Sequence, residues 1–200
     1  VSFPMSQLFA PGAPAGPTSR APLATDLDAD GIETQPLGTS PVTFDHNADG
    51  VRTGSGWLSA DDAWLVLDRN GNGLVDSGRE LFGMDTLKSN NQYATSGLDA
   101  LRDLDSTPDG VFNAQDAAFG QVRLWQDLNQ NGLSDNGELF SLSDKGITSI
   151  ALTGTAANRA LDNGNTVLST ASVTRSDGST TTAADLQLAH NPFYRSFATE

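Results

Sequence analysis

Five times between Asp26 and Glu138 the chain sets oxygen-bearing side chains at alternate residues and then turns on a glycine. The strings are Asp26, Asp28, Asp30 before Gly31; Asp45, Asn47, Asp49 before Gly50; Asp68, Asn70, Asn72 before Gly73; Asp105, Thr107, Asp109 before Gly110; and Asp127, Asn129, Asn131 before Gly132. Nothing else in the sequence restricts the backbone so tightly. Oxygens at alternate positions can converge on one centre, and glycine permits the bend that brings later residues back to it. A hard divalent cation with six to eight oxygen ligands satisfies that pattern, and the register is that of an EF-hand calcium loop.

The last loop carries the register in full, with the Leu133 carbonyl at position 7, Asp135 at 9 and Glu138 at 12. The loop 22 residues upstream keeps it with the Val111 carbonyl, Asn113 and a shorter closing acid, Asp116, so the two are expected to form a pair. In the Asp68 loop, Asp76 stands at position 9 but Arg79 occupies position 12, and the acid follows one residue late as Glu80, which predicts distortion. The Asp45 loop has Gly56 at position 12, with Asp61 or Asp62 available downstream as a substitute. The Asp26 loop has Glu33 nearby but Leu37 at position 12, so another segment or water must finish its shell. All five read as Ca2+ sites, weighed against acidic turns that hold no ion.

The formal charge of −14, with 25 acids against 11 bases, argues against nucleic acid or an anionic membrane surface as partner. Five bound Ca2+ ions would bring the charge to about −4 and remove most of the self-repulsion. With no cysteine there is no disulfide framework. No apolar run approaches a membrane span, so no membrane insertion is expected, and the start of the chain does not read as a signal peptide.

Residues 1–21, rich in proline, alanine and glycine, are expected to be a flexible tail, with one calcium-binding module over 22–200. Helices are expected from Ser59 to Leu67, from Gly97 to Leu104 and from Ala114 to Gln126, and as a last turn between Leu139 and Gly146. In the third of these, Ala118, Phe119, Val122 and Trp125 form a core stripe, and Leu81 and Phe82 read as core anchors. Ile147 to Leu152 reads as a strand, and Thr166 to Arg175 and Ser179 to Leu188 as a hairpin turning on Ser176-Asp177-Gly178. The expected fold is α+β, with EF-hand-like loops and short helices on a small antiparallel sheet.

The blocks PLATDLDADGIETQPLG, TFDHNADGVRTGSGWLSADDAWLVLDRNGNGLVDSGRELFG and AQDAAFGQVRLWQDLNQNGLSDNGELFSLSDKGI resemble the self-processing module of FrpC-like RTX proteins, over roughly residues 22–188. The resemblance implies that calcium folds the module, which then breaks an Asp-Pro peptide bond just before the first block. It implies that the new C-terminal aspartate can be joined to a lysine amine of another protein. The chemistry is sound: an aspartate side-chain oxygen attacking its own main-chain carbonyl closes a five-membered anhydride.

This chain departs from that pattern at the decisive residue. Ala21 precedes Pro22, and none of the nine prolines follows aspartate. A methyl group cannot be the nucleophile, so the chain as written is expected not to cleave. Either Ala21 preserves a precursor by design or the chain is a naturally inactive relative; the intact surrounding blocks favour the first. Asn191-Pro192 reads as a turn, His46 and His190 receive no role, and Lys88 and Lys145 are the possible acceptors within the chain. Two non-enzymatic readings remain, a calcium-stiffened adhesion or spacer domain and a dockerin-like module.

The resemblance also implies a piece of a larger secreted or bacterial surface protein, here expected to be a monomer. Extracellular calcium sites bind at about 10⁻⁴ to 10⁻³ M, so secretion would trigger folding. Chelation is therefore expected to loosen or unfold the module, because crowded carboxylates repel without the ion. A circular dichroism spectrum unchanged by EDTA would contradict this.

Overall fold

In a computed structural model of the chain, residues 21–38, 41–161 and 163–197 are described. The tail expected over residues 1–21 lies outside them except for Ala21, which is buried.

The chain is built from short strands. They are β1 (Leu23–Thr25), β2 (Thr34–Gln35), β3 (Val42–Phe44), β4 (Val51–Ser55), β5 (Trp57–Leu58), β6 (Ala63–Val66), β7 (Val111–Asn113), β8 (Arg123–Trp125), β9 (Leu139–Ser141), β10 (Ile147–Ala151), β11 (Thr155–Ala160), β12 (Thr166–Arg175), β13 (Thr180–Gln187) and β14 (His190–Phe197). Among the described residues the only α-helix is α1 (Gly97–Arg102), and a single 3-10 turn covers Ser143–Lys145. The α+β expectation is therefore overturned: the fold is almost entirely antiparallel β.

Nine strands form one sheet in the order β7-β10-β12-β13-β1-β6-β8-β9, with β11 paired to β12. A second sheet has the order β14-β4-β3, and β2 pairs with β5. The β12–β13 hairpin turns on Ser176 to Ser179, with Gly178 at φ +84°, as the Asp-Gly signal anticipates. Strand β10 also falls where the sequence places it. Helix α1 starts on a Ser96 side chain that accepts the Asp99 N–H, and it ends earlier than Leu104.

The other expected helices give way to strands. Trp64 to Val66 is buried on both faces of the sheet, so its apolar run fits a central strand and carries no helical stripe. Between Ala114 and Gln126 the chain makes turns and then β8, yet Val122 and Trp125 are fully buried and Ala118 and Phe119 pack on the core. Leu139 to Ser141 forms β9 ahead of the 3-10 turn. Asn191-Pro192 lies within β14, where the expected turn is a break in register: Asn191 stands opposite Gly54 of β4, and the next pair is Arg195 with Thr53.

Two apolar clusters flank the large sheet. One contains Leu23, Leu65, Phe82, Leu101, Phe112, Leu124 and Ile150. The other gathers Phe44, Trp57, Trp64 and Trp125, whose rings lie 5.3 to 5.7 Å apart where they pair. Burying each such side chain contributes about 1.5–3 kcal/mol.

Several carboxyl groups are buried with this core, and one of them lies away from the acidic loops. Asp185 is fully buried on β13, where its carboxylate accepts the Gly97 N–H at 2.7 Å and the Ser169 hydroxyl at 2.8 Å. Burial raises its pKa despite these hydrogen bonds. A raised folded-state pKa means that its contribution to stability is complete at low pH and is lost as pH rises through that value. With calcium saturating, Asp185→Asn should therefore improve in melting temperature relative to the parent as pH rises upward from the ordinary carboxylate range. A difference that stays constant over that rise would contradict the assignment.

Candidate functional site

Four of the five acidic loops share one turn. The first aspartate accepts the N–H of the glycine five residues on: Gly50 to Asp45 at 2.8 Å, Gly73 to Asp68 at 2.8 Å, Gly110 to Asp105 at 3.0 Å and Gly132 to Asp127 at 2.8 Å. These glycines lie at φ between +71° and +82°, a region that disfavours other residues. The same backbone twist appears at position 4 in Ala29, Ala48, Gly71 and Gln130.

A second carboxylate closes three of the loops by one rule. Glu138 accepts the N–H groups of Leu128 and Asp135, each at 3.0 Å. Asp116 accepts those of Ser106 at 2.8 Å and Asn113 at 2.9 Å. Glu80 accepts those of Arg69 at 3.3 Å and Asp76 at 2.9 Å. In each loop the donors are positions 2 and 9. The late Glu80 thus closes its loop as Glu138 does, and the extra residue is absorbed between Asp76 and Glu80. There Gly78 donates to the Asp45 carbonyl at 2.8 Å, so close to the second loop that a Cβ would fall 2.0 Å from the His46 carbonyl oxygen.

The first loop is closed from elsewhere in the chain. Asp62 accepts the N–H groups of Leu27 at 3.2 Å and Glu33 at 3.1 Å. Carboxylate oxygens of Asp26, Asp28 and Asp62 lie within 4.8 Å of one another, as do those of Glu33, Asp61 and Asp62. Asp61 and Asp62, which the sequence offers to the second loop, therefore sit at the first, and Asp30 is exposed outside both groups. Asp62 is 1% exposed, and burial pushes its carboxyl up to about 8. Glu33 is raised by burial and by the charges of Asp30, Asp61, Asp28 and Asp26. A cation here would offset that repulsion. In the second loop Asp45 is buried, Asn47 donates to Asp49 at 2.8 Å, and Gly56 packs against Asn165 where a closing acid would stand.

The loops do not pair as their spacing suggests. Val75, at position 8 of the Asp68 loop, donates its N–H to the Ser134 hydroxyl, at position 8 of the Asp127 loop, at 2.7 Å. The Arg52 guanidinium reaches the Thr43 carbonyl at 2.6 Å and the Gly132 carbonyl at 2.7 Å, which ties the second loop to the fifth. The Asp105 loop is instead joined to β10 through β7 and by the Leu152 N–H on the Gly110 carbonyl at 2.9 Å. Strands flank most of the loops, and only the Asp105 loop follows an α-helix, so the EF-hand likeness is confined to loop register. The fifth loop is also pinned to the core: Trp57 Nε1 donates to Asp127 at 2.8 Å and Trp125 Nε1 to Glu138 at 3.4 Å. Burial raises Asp127.

The Ala21–Pro22 bond shares a cleft with His46 of the second loop and Gly78 beside the third. Ala21 is 2% exposed. Just after it, the Leu23 N–H donates to the Phe82 carbonyl at 2.8 Å, and the Pro22 carbonyl accepts the Leu186 N–H at 3.0 Å. The cleft beside the bond, about 10 Å³, is lined by His46, Gly78, Leu81, Gly83, Met84 and Asp85. His46 Nε2 is 3.1 Å from the Ser55 hydroxyl, and His190 Nε2 is 2.9 Å from that of Thr53. Lys88 pairs with Asp99 at 2.9 Å, while Lys145 donates to Gln126 at 2.8 Å and lies 3.8 Å over the Phe140 ring. The sequence offers Asp61 or Asp62 to the second loop and does not single out Gly83 or Asp185, whereas Asp62 stands at the first loop, Gly83 beside the Ala21–Pro22 bond and Asp185 against Gly97. Their roles depend on contacts across the fold that no local spacing encodes.

Compared with known proteins, residues 23–189 match the SPM domain family. The chain is 48% identical over 177 residues to the iron-regulated protein FrpA of Neisseria meningitidis serogroup C. That alignment covers 88% of this chain but only 16% of the relative.

The geometry predicts that Asp62→Asn weakens calcium binding at the distant first loop by roughly ten- to a hundredfold and leaves the fifth loop intact. Glu138→Gln should do the reverse, and it should alter the calcium-dependent tryptophan fluorescence. Calorimetric titration that finds Asp62→Asn identical to the parent would contradict the closure assigned to it.

Proposed function

The chain belongs to the SPM domain family, and from that premise we propose that it is a calcium-folded self-processing module, built to break the bond before Pro22 and here disarmed by Ala21. The observation that carries this reading is the burial of Ala21 and Pro22 directly before a peptide that Phe82 and Leu186 hold, at the start of the strand that joins the two halves of the sheet. A flexible tail joined to a calcium domain has no need to bury its junction.

The residues that would hold calcium are the converging acids described above, with Asp62, Glu80, Asp116 and Glu138 closing four loops. When bound, calcium supplies the positive charge that allows these carboxylates to crowd together. The chain's own groups would do the rest. With aspartate at position 21, a side-chain oxygen attacks the main-chain carbonyl carbon of the same residue. The carbon–nitrogen bond to Pro22 breaks, the proline nitrogen takes a proton and leaves as a secondary amine, and a cyclic anhydride remains. A lysine amine then opens the anhydride to an amide and a free carboxylate, or water opens it to two carboxylates. Packing around Pro22 fixes the leaving side, and the narrow cleft limits water at the reacting carbon.

Both lysines of the chain are held in contacts of their own, which favours an acceptor lysine on another protein. The similarity to part of FrpA supports a module within a larger secreted or surface protein of RTX type. No helix among the described residues is long and apolar enough to cross a membrane. The second reading, a non-enzymatic calcium-stiffened spacer, draws on Ala21 itself, since alanine leaves the fold without a nucleophile.

The test is to install Ala21→Asp, add millimolar calcium and follow the intact mass. Release of a fragment ending at residue 21 is the expected result, with the two pieces absent under EDTA. A calcium-folded chain of unchanged mass would favour the spacer.

A further inference from the structure

The segment Phe82 to Met84 runs alongside Ala21 to Leu23, and Gly83 is its point of closest approach. A Cβ placed on Gly83 would stand 3.1 Å from the Ala21 carbonyl oxygen, 3.3 Å from Pro22 Cα and 3.4 Å from the Ala21 carbonyl carbon. Near-equal contact with all three atoms puts that position over a face of the 21–22 peptide plane and not beside its edge. The backbone of Gly83 does not itself demand glycine, because it is not among the residues with positive φ. Nor is the segment free to back away. The Gly83 N–H donates to the Thr86 hydroxyl at 3.1 Å, that hydroxyl donates to the Leu81 carbonyl at 2.8 Å, and Thr86 is buried.

We infer that Gly83 is a positioning residue for the self-processing reaction, leaving open one face of the scissile peptide so that its carbonyl carbon can become tetrahedral. The inference rests on the function proposed above. Attack on a planar carbonyl comes from one face and drives the oxygen toward the other. If the nucleophile approaches from the Gly83 side, a methyl group there blocks it. If it approaches from the opposite side, the oxygen recoils into the space the methyl group would fill. Either way the missing side chain serves the transition state more than the resting fold, where contacts of 3.1 to 3.4 Å call for shifts of only a few tenths of an ångström.

The experiment compares calcium titrations of cleavage for Ala21→Asp and for Ala21→Asp with Gly83→Ala, each rate expressed per folded molecule as read by circular dichroism. The second substitution should lower the plateau rate by roughly ten- to a hundredfold with an unchanged calcium midpoint. Gly120→Ala, at a glycine whose Cβ would meet nothing within 4 Å, serves as control and should cleave at the parent rate. Equal plateau rates with and without Gly83→Ala would overturn this inference and leave the proposed function standing. A plateau restored by extra calcium, with a shifted midpoint, would also overturn it, because the role would then be stability. No cleavage in Ala21→Asp alone would overturn the function and this inference with it.

Discussion

Three residues hold the large sheet together. Strand β1 pairs on one side with β13, through Leu23 to Asp185 and its neighbours, and on the other with β6, through Ala24 to Trp64. On the β13 side lie the long C-terminal strands, and on the β6 side lie the short strands that carry the acidic loops. If β1 were removed, the sheet would fall into two pieces, each with an open edge and half a core. The side chains around it reflect that demand: a Cβ on Gly97 would collide with Asp185, Leu23 and Phe82, all at 2.8 Å or less. Because Pro22 immediately precedes this strand, any distortion of the bond at residue 21 is felt by the whole module. Conversely, breaking that bond leaves every β1 pairing in place.

The acidic loops supply the other half of the account. Their carboxylates are already committed to holding backbone N–H groups at positions 2, 6 and 9, so the turns are organised by the same atoms a cation would use. That arrangement concentrates negative charge, most sharply at the first loop, where Asp62 is buried among other acids. Without a cation the charge opposes closure; with one, closure becomes favourable, and binding energy becomes folding energy. The Asp45, Asp68 and Asp127 loops touch one another through Gly78, Ser134 and Arg52, so closing one favours closing the next.

What the sequence displayed was what local chemistry decides. The loop glycines, the Asp-Gly hairpin and the core character of Val122 and Trp125 all follow from residues close in the chain. What it hid was decided across the fold. The Ala63 to Val66 stretch is apolar on both faces, which period alone cannot assign to helix or strand. The pairing of the Asp68 and Asp127 loops depends on contacts between residues 59 positions apart, against a nearer and equally regular alternative at Asp105. Asp62 closes a loop that begins 36 residues before it, and the burial of Ala21 could not be read from a proline-rich flank.

On this account, cation-driven loop closure clamps the Pro22–Leu23 peptide between Phe82 and Leu186 and so positions the bond just before it. Amide hydrogen exchange at Leu23 and Leu186, the two N–H groups that make the clamp, measures it directly. Strong protection in saturating calcium that disappears under EDTA is the predicted result. Protection that persists under EDTA, or that never develops with calcium, would contradict the account.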